Sequence, residues 1–250
     1  MRSQWNLVAR LNMLALACLW IVGAAGCKST AAESAGFVDG TRLEKDPTLP
    51  FHAAWRNPKR DLTGYTKIWI APVDTSHLLK MELWQKGEAG AAGQFEKDVE
   101  DIAVKVREYL IKAFKEPPEG VESRFTVVDE PKGADTLRLE FAITEVVPSK
   151  AILEAASWAM PFGTGILLSP VNRSTAAMEG RFSDANSGQV LLAFADREGE
   201  QLRPVDLGGF TWYTHAKGIM QDWARQLIEV ANQKPGEMVE DTKFYTIKPW

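Results

Sequence analysis

The sequence predicts an α+β domain, in which a mixed or antiparallel sheet of about five strands carries two amphipathic helices on one face. Short runs of β-branched and aromatic residues predict the strands, and two long stretches with an apolar period of 3.6 predict the helices. Their order along the chain is β, α, β, β, β, β, α, which is typical of helices layered on a sheet. The chain has 250 residues, of which 45% are hydrophobic and 25% charged, so it can bury a core.

Five segments are predicted as strands. The first, 67–73, reads Lys-Ile-Trp-Ile-Ala-Pro-Val and ends at its proline and valine. The others lie at 125–128, 136–147, 175–183 and 189–198. The last two are joined by Asp-Ala-Asn-Ser-Gly at 184–188, where the Asp and Asn side chains can bond the backbone and Gly accepts a positive φ.

Two stretches are predicted as helices that bury one stripe of side chains. The first stripe consists of Phe95, Val99, Ile102, Ala103, Val106, Leu110, Ala113 and Phe114, and Pro117-Pro118 stops the helix. The second stripe consists of Ala216, Ile219, Met220, Trp223, Ala224, Leu227, Ile228 and Ala231.

The segment 1–26 is predicted as a secretory signal peptide, because basic residues precede an apolar run and small residues follow it. The apolar run of about 12 residues spans roughly 18 Å as a helix, well short of the roughly 30 Å core of a bilayer. The step Ala-Ala-Gly-Cys at 24–27 resembles the bacterial lipobox, in which a peptidase cleaves before the cysteine and the thiol receives a lipid.

Cys27 is therefore predicted to carry acyl chains such as palmitate that hold the protein on a membrane. Cys18 would leave with the signal peptide, so the mature chain would keep one cysteine and no internal disulfide. Two or three acyl chains suffice for stable anchoring. Lys28 stands where an aspartate would resemble an inner-membrane retention signal, which favours the outer membrane with the domain facing the periplasm.

The mature chain is predicted to be one domain on a tether. Residues 27–60 are mostly small, polar or charged and show no sustained period, which indicates a tether. Residues 61–236 form the α+β domain, without internal repeats. A C-terminal tail at 237–250 completes the predicted organisation.

The composition argues against several kinds of chemistry. A formal charge of −4 provides no basic excess for nucleic acid. His52, His77 and His215 lie far apart, and no CxxC or HExxH motif is present, so no metal, cofactor or catalytic residue is expected.

The acidic residues around the predicted hairpin have two interpretations. Glu179, Asp184, Asn186 and Asp196 could in principle bind calcium, but a loop of that kind needs oxygens at alternating positions over about a dozen residues. Turn chemistry explains the hairpin residues more simply. Asp196 is predicted to form a charge pair with Arg197 at the end of the strand.

One apolar stretch, 151–171, has no regular period, because prolines and glycines interrupt it. A loop this apolar must pack over the core, dock on a partner or touch lipid, and these alternatives stay open. The candidate partner contacts are Trp158, Phe162, Ile166 and Leu167. Large aromatic side chains in particular concentrate binding energy at interfaces.

Three stretches resemble the bacterial lipoprotein family of domain of unknown function 3313. They are Gly-Phe-Val at 36–38, the Tyr-x-Lys strand at 65–73, and the Asp-x-x-Ser-Gly hairpin at 184–188 that runs on to Asp-Arg at 196–197. The resemblance implies a lipoprotein of the cell envelope. It supplies no catalytic residue, since the family has no established activity.

The sequence thus predicts a non-enzymatic, lipid-anchored envelope lipoprotein whose domain binds another envelope component, either protein or lipid. The alternatives are an envelope hydrolase or glycan-active enzyme that uses carboxylates, and a small-ligand-binding module. Two facing carboxylates in a cleft would favour the enzyme. A shallow sheet with an exposed apolar loop would favour the binding protein.

Overall fold

A computed structural model describes residues 30–81, 89–147, 174–199 and 216–241. Its six strands are β1 (Ala53–Arg56), β2 (Lys67–Ile70), β3 (Thr126–Val127), β4 (Thr136–Val147), β5 (Thr175–Asp184) and β6 (Val190–Gly199). They form one sheet in the order β1-β6-β5-β4-β2-β3, in which β2 is parallel to β3 and β4 and the other pairs are antiparallel. The helices are α1 (Ala89–Lys115) and α2 (Ala216–Asn232). The α+β class is confirmed, with six strands instead of about five.

The described side chains of both predicted stripes are buried or partly buried, whereas the side chain of Phe95, at the start of the first stripe, lies outside the described residues. Ile102 and Leu110 of α1 are buried, as are Trp223 and Leu227 of α2. The ring centroid of Trp223 lies 6.0 Å from that of Phe141 in β4, so α2 packs on the sheet. Within the described residues, neither helix has the length and apolarity needed to cross a bilayer.

The structure departs from the predicted tether at 27–60. Phe51 is 1% exposed and stacks on Phe194 of β6 with ring centroids 4.7 Å apart. Phe194 needs the space above Gly180, where an added Cβ would come within 2.5 Å of its ring. Residues 53–56 form the extra strand, which pairs with β6 at the edge of the sheet. A strand of four residues is too short to show a period, so composition alone indicated a linker.

The predicted boundary at residue 236 also differs from the structure. The N–H of Val239 donates to the carbonyl of Thr48 at 3.0 Å, and the Val239 side chain is buried. The side-chain amide of Gln233 donates to the same carbonyl at 3.0 Å. The chain after α2 therefore packs against the segment before β1, and the domain extends into the predicted tail.

The sheet has two ends that differ in their connections. At the hairpin end, β2 and β4 begin, the turn 185–189 joins β5 to β6, and α2 finishes. At the opposite end, β4 and β6 finish and β5 and α2 begin. We call this the strap end, because residues 31–38, the strap, approach the sheet from that side, as described below. The described chain breaks off at this end after β4 and β6 and resumes there with β5 and α2.

Candidate functional site

Two of the stretches that carry the family resemblance meet at the hairpin end. The hydroxyl of Tyr65 donates to Oδ2 of Asp184 at 2.8 Å, although the two residues are 119 positions apart. Oδ1 of Asp184 accepts the N–H of Asn186 at 3.1 Å, and the N–H and hydroxyl of Ser187 at 2.7 and 2.8 Å. Gly188 closes the turn with φ 72°. Asp184 thus holds its own turn and attaches it to the start of β2.

The charge states of this pair follow from its surroundings. Burial raises the pKa of Asp184, but hydrogen bonds from Ser187 and Tyr65 outweigh burial, so the pKa lies below its usual value. Burial and the Asp184 carboxylate raise the pKa of Tyr65 to about 12. At neutral pH the phenol donates to a carboxylate.

Turn chemistry therefore accounts for the hairpin better than calcium does. Both carboxylate oxygens of Asp184 already accept hydrogen bonds within the protein, so Asp184 is not directed at a calcium ion. In the parts of the chain that the structure describes, no three His, Cys, Asp or Glu side chains are grouped so that they could hold a metal ion.

Two shallow cavities flank the Tyr65–Asp184 pair. The larger, of about 520 Å³, lies between Asp184 and the loop 57–65. The smaller, of about 330 Å³, shares Arg60 and Asp61 with it and extends to the turn after α2. Both volumes fall in the range of small-molecule pockets, roughly 300–1,000 Å³.

The loop that lines both cavities is fixed by its own side chains. Asn57 accepts the N–H of Lys59 at 2.9 Å and donates to the carbonyl of Val190 at 3.0 Å. Asp61 accepts the N–H and hydroxyl of Thr63 at 3.0 and 2.6 Å. Two consecutive Asx turns thus shape the loop, and Asn57 also attaches it to β6.

The larger cavity contains two carboxylates, the kind of pair on which the hydrolase alternative depends. Asp61 and Asp184 both line it. Hydrogen bonds from Thr63 lower the pKa of Asp61, and the pKa of Asp184 is also lowered. A carboxyl group that acts as general acid needs a raised pKa. Neither residue is therefore suited to protonate a leaving group.

A second polar cluster lies between the sheet and α2. Oδ1 of Asp196 accepts the backbone N–H of His52 at 3.0 Å and lies 2.7 Å from Nδ1 of its ring. Oδ2 accepts the indole N–H of Trp223 at 3.0 Å. The predicted Asp196–Arg197 pair is wrong, because successive residues of a strand point to opposite faces. Arg197 pairs with Glu145 at 2.7 Å instead.

The strap is held by one buried carboxylate in the middle of β5. Glu179 is 2% exposed. Its Oε1 accepts the hydroxyl of Ser34 at 3.0 Å and the N–H of Ala35 at 2.7 Å, and its Oε2 accepts the N–H of Val38 at 3.0 Å. Three donors from one short segment therefore converge on a single side chain, which fixes the strap to the sheet face opposite the helices.

Ion pairs beside the strap complete this face. Arg181 pairs with Glu140 at 2.8 Å, and its guanidinium lies 5.3 Å from the ring centroid of Phe37. Burial raises the pKa of Glu140, but Arg181 and Arg138 outweigh it and the pKa is lowered. The stretch 36–38, the remaining one that carries the family resemblance, thus packs against β5.

Several residues singled out in the sequence fall outside the described part of the chain. They are Cys27, Trp158, Phe162, Ile166 and Leu167. Conversely, no sequence pattern marks the roles of His52 or Glu179. The partners of His52 lie 144 or 145 positions away along the chain and those of Glu179 lie 141 to 145 positions away, so no local pattern could reveal them.

The structure is an α+β protein, and the stretches that carry the family resemblance hold distant segments of its domain together. The family model "Protein of unknown function (DUF3313)" matches residues 33–227. The chain belongs to this family, as the resemblance predicted. No curated protein matches it.

Several solved structures match much of this chain at very low sequence identity. The PelC dodecamer from Paraburkholderia phytofirmans has 6% identity and a TM-score of 0.38, over 72% of this chain and 96% of that chain. The hypothetical protein CT253 from Chlamydia trachomatis has 8% identity and a TM-score of 0.38, over 67% and 98%. Protein XCC0632 from Xanthomonas campestris has 8% identity and a TM-score of 0.37, over 73% and 90%.

Proposed function

We propose that this protein is a lipoprotein, anchored through Cys27 to the periplasmic face of the outer membrane, whose domain binds another envelope component. The observation that carries the proposal is the order of features at the N-terminus. An apolar signal and a lipobox-like step lead to Cys27, and the hydrogen-bonded strap begins only seven residues later, at Ser34. A folded domain attached this closely to the cysteine suits a protein that works at a membrane surface.

The state of the buried carboxylates supports binding over catalysis. Glu179, Asp184 and Asp196 are 2%, 6% and 3% exposed. Each accepts hydrogen bonds from segments distant in sequence, and so each stabilises the fold. A carboxylate enzyme needs such groups to face a substrate. The hydrolase alternative therefore has less support than a binding domain.

Replacing Cys27 by serine is expected to abolish membrane anchoring, because the change removes the sulfur that accepts the lipid. The variant should leave the detergent phase on phase partitioning, while the parent protein stays in it. Cys18→Ser is the matched control and should partition like the parent, since Cys18 lies in the segment that is removed. Partitioning of Cys27→Ser into detergent would refute the lipoprotein proposal.

Partner contact is proposed for Trp158, Phe162, Ile166 and Leu167. Trp158→Ala and Phe162→Ala are expected to reduce cross-linking to the bound envelope component in intact cells, with melting temperatures within about two degrees of the parent. Trp223→Ala is the control for a buried tryptophan and should cost about 3–5 kcal/mol. A comparable loss of stability in Trp158→Ala, with cross-linking intact, would reassign the stretch to packing.

A further inference from the structure

We propose that the cavities at the hairpin end bind a phosphate monoester with neighbouring hydroxyl groups, the chemistry of a phosphorylated sugar. The two cavities share a wall, because Arg60 and Asp61 line both of them. The residues that carry the inference all lie in the described part of the chain. It goes beyond the proposed function, since it uses neither Cys27 nor the stretch 151–171.

Two basic side chains of the loop 57–65 supply positive charge to the larger cavity. Lys59 and Arg60 are exposed and both line it. The ammonium group of Lys59 has no acceptor among the described residues. The guanidinium of Arg60 reaches Oε1 of Gln189 at 3.3 Å and lies 3.9 Å from Oδ2 of Asp184, which leaves most of its N–H donors available to a ligand. An arginine fork beside a lysine suits the oxygens of a phosphate group.

The carboxylates of the larger cavity do not cancel this charge. Asp184 already accepts four hydrogen bonds within the protein. Asp61 lies near Arg124, because burial lowers the pKa of Arg124 and the Asp61 carboxylate opposes that change. Arg124 donates to the carbonyls of Leu62 and Tyr65, and no carboxylate lies within ion-pair distance of it among the described residues. Three cations therefore surround the loop with two carboxylates, which favours an anionic ligand.

One free acceptor beside these cations predicts hydroxyl groups on the ligand. Oδ1 of Asp61 accepts both donors of Thr63, whereas Oδ2 has no partner among the described residues. The hydrogen bonds from Thr63 lower the pKa of Asp61, so at neutral pH its carboxylate can only accept. A carboxylate repels a bare phosphate ion but accepts hydrogen bonds from the hydroxyls of a sugar. The site therefore favours a phosphorylated sugar over inorganic phosphate.

The cavities have room for such a ligand. Volumes of about 520 and 330 Å³ are typical of small-molecule pockets. The wall of the smaller cavity includes the buried side chains of Leu62, Leu191 and Val230, and the exposed Lys234 also lines it. Because Arg60 lines both cavities, a phosphate bound to it leaves the rest of the ligand space on either side.

Isothermal titration calorimetry of the full-length protein, purified in detergent, tests the site. The probes are glucose 1-phosphate, glucose and inorganic phosphate, at low ionic strength so that salt does not screen the charges. Glucose 1-phosphate is expected to bind about ten-fold or more tightly than either of the other two, since only it engages the cations and Asp61 together. Equal affinity for inorganic phosphate, or no binding of glucose 1-phosphate, would overturn the proposal.

Substitutions at exposed positions assign the binding to these cavities. Arg60→Gln and Lys59→Gln are each expected to weaken glucose 1-phosphate binding about ten-fold or more, with melting temperatures within about two degrees of the parent. Lys97→Gln makes the same change of charge on the exposed side of α1 and should bind like the parent. Parental affinity in both Arg60→Gln and Lys59→Gln would overturn the site.

Asp61→Asn separates the role of the hydroxyls from that of the phosphate. Asparagine forms the same turn as aspartate, so the loop keeps its shape while the free carboxylate oxygen is lost. Glucose 1-phosphate is expected to bind several-fold more weakly, and inorganic phosphate at least as well as before. A loss of the same size for both probes would overturn the assignment of the hydroxyls to Asp61.

A free sugar phosphate and the phosphorylated sugar of a glycolipid present the same groups to the site. Lipid A, added in the same detergent as a competitor of glucose 1-phosphate, distinguishes these sources. Competition at a lower concentration than that of glucose 1-phosphate would support the site with a glycolipid as its ligand. Binding of glucose 1-phosphate without competition would support it with a soluble ligand, and binding of neither would overturn it.

Discussion

Replacing Asp196 by alanine is expected to destabilise the domain by about 3–5 kcal/mol, because it leaves buried donors without their acceptor. The backbone N–H of His52 and the indole N–H of Trp223 both bond this carboxylate. They come from the segment before β1 and from α2, so the loss also weakens the attachment of these elements to β6. Chemical denaturation followed by Trp fluorescence measures the change in the free energy of unfolding.

Asp39→Ala provides the matched control for Asp196→Ala. Asp39 is exposed and, among the described residues, accepts hydrogen bonds from Thr41 alone, at the start of the short helix Gly40–Arg42. Its loss is expected to cost about 1 kcal/mol or less. Trp223→Phe removes one donor and keeps most of the ring volume, so an intermediate loss is expected. A cost below about 1 kcal/mol for Asp196→Ala would contradict a structural role for the cluster.

Replacing Tyr65 by phenylalanine is expected to cost about 1–3 kcal/mol at neutral pH and to change the alkaline stability. The pKa of Tyr65 is raised in the folded protein from 10.0 to about 12. Its contribution is therefore complete below pH 10 and is lost as the pH rises through 12. Tyr65→Phe should lack this decline, which unfolding curves measured between pH 9 and about 12 will show.

Tyr109→Phe is the control for the loss of a phenolic hydroxyl. Tyr109 is half-buried on α1, and burial also raises its pKa, but no carboxylate accepts its hydroxyl among the hydrogen bonds of the described residues. Its replacement should be nearly neutral at pH 7. If both variants lose the same stability, the bond from Tyr65 to Asp184 has no special importance.

The sequence predicted the parts of the fold that repeat a local pattern. The stripe of α2 from Ala216 to Ala231 is buried as expected, because eight apolar residues at helical spacing form one continuous apolar face of the helix. Asp184 was correctly assigned to turn chemistry, since its partners in the turn lie two and three residues away. Both predictions rest on the spacing of residues within one short segment of the chain.

Contacts between distant segments were not predictable in this way. The strap is short and has no regular period, and its position depends on Glu179, which lies more than 140 positions further along the chain. Asp196 was assigned to its neighbour Arg197, but alternation along β6 sends the two side chains to opposite faces. Both cases depend on which strands become neighbours, and a single sequence does not reveal strand order.

Seven peptide steps between Cys27 and Ser34, the first residue that Glu179 holds, leave little room for an enzyme. A peptidase that cuts before Cys27 must grip several residues in extended form, and a strap docked at Ser34 would hold the bond about 25 Å or less from Glu179. If Cys27 is lipidated as proposed, acylation and cleavage precede docking of the strap. The Glu179 carboxylate then receives its three donors as one of the last steps of maturation.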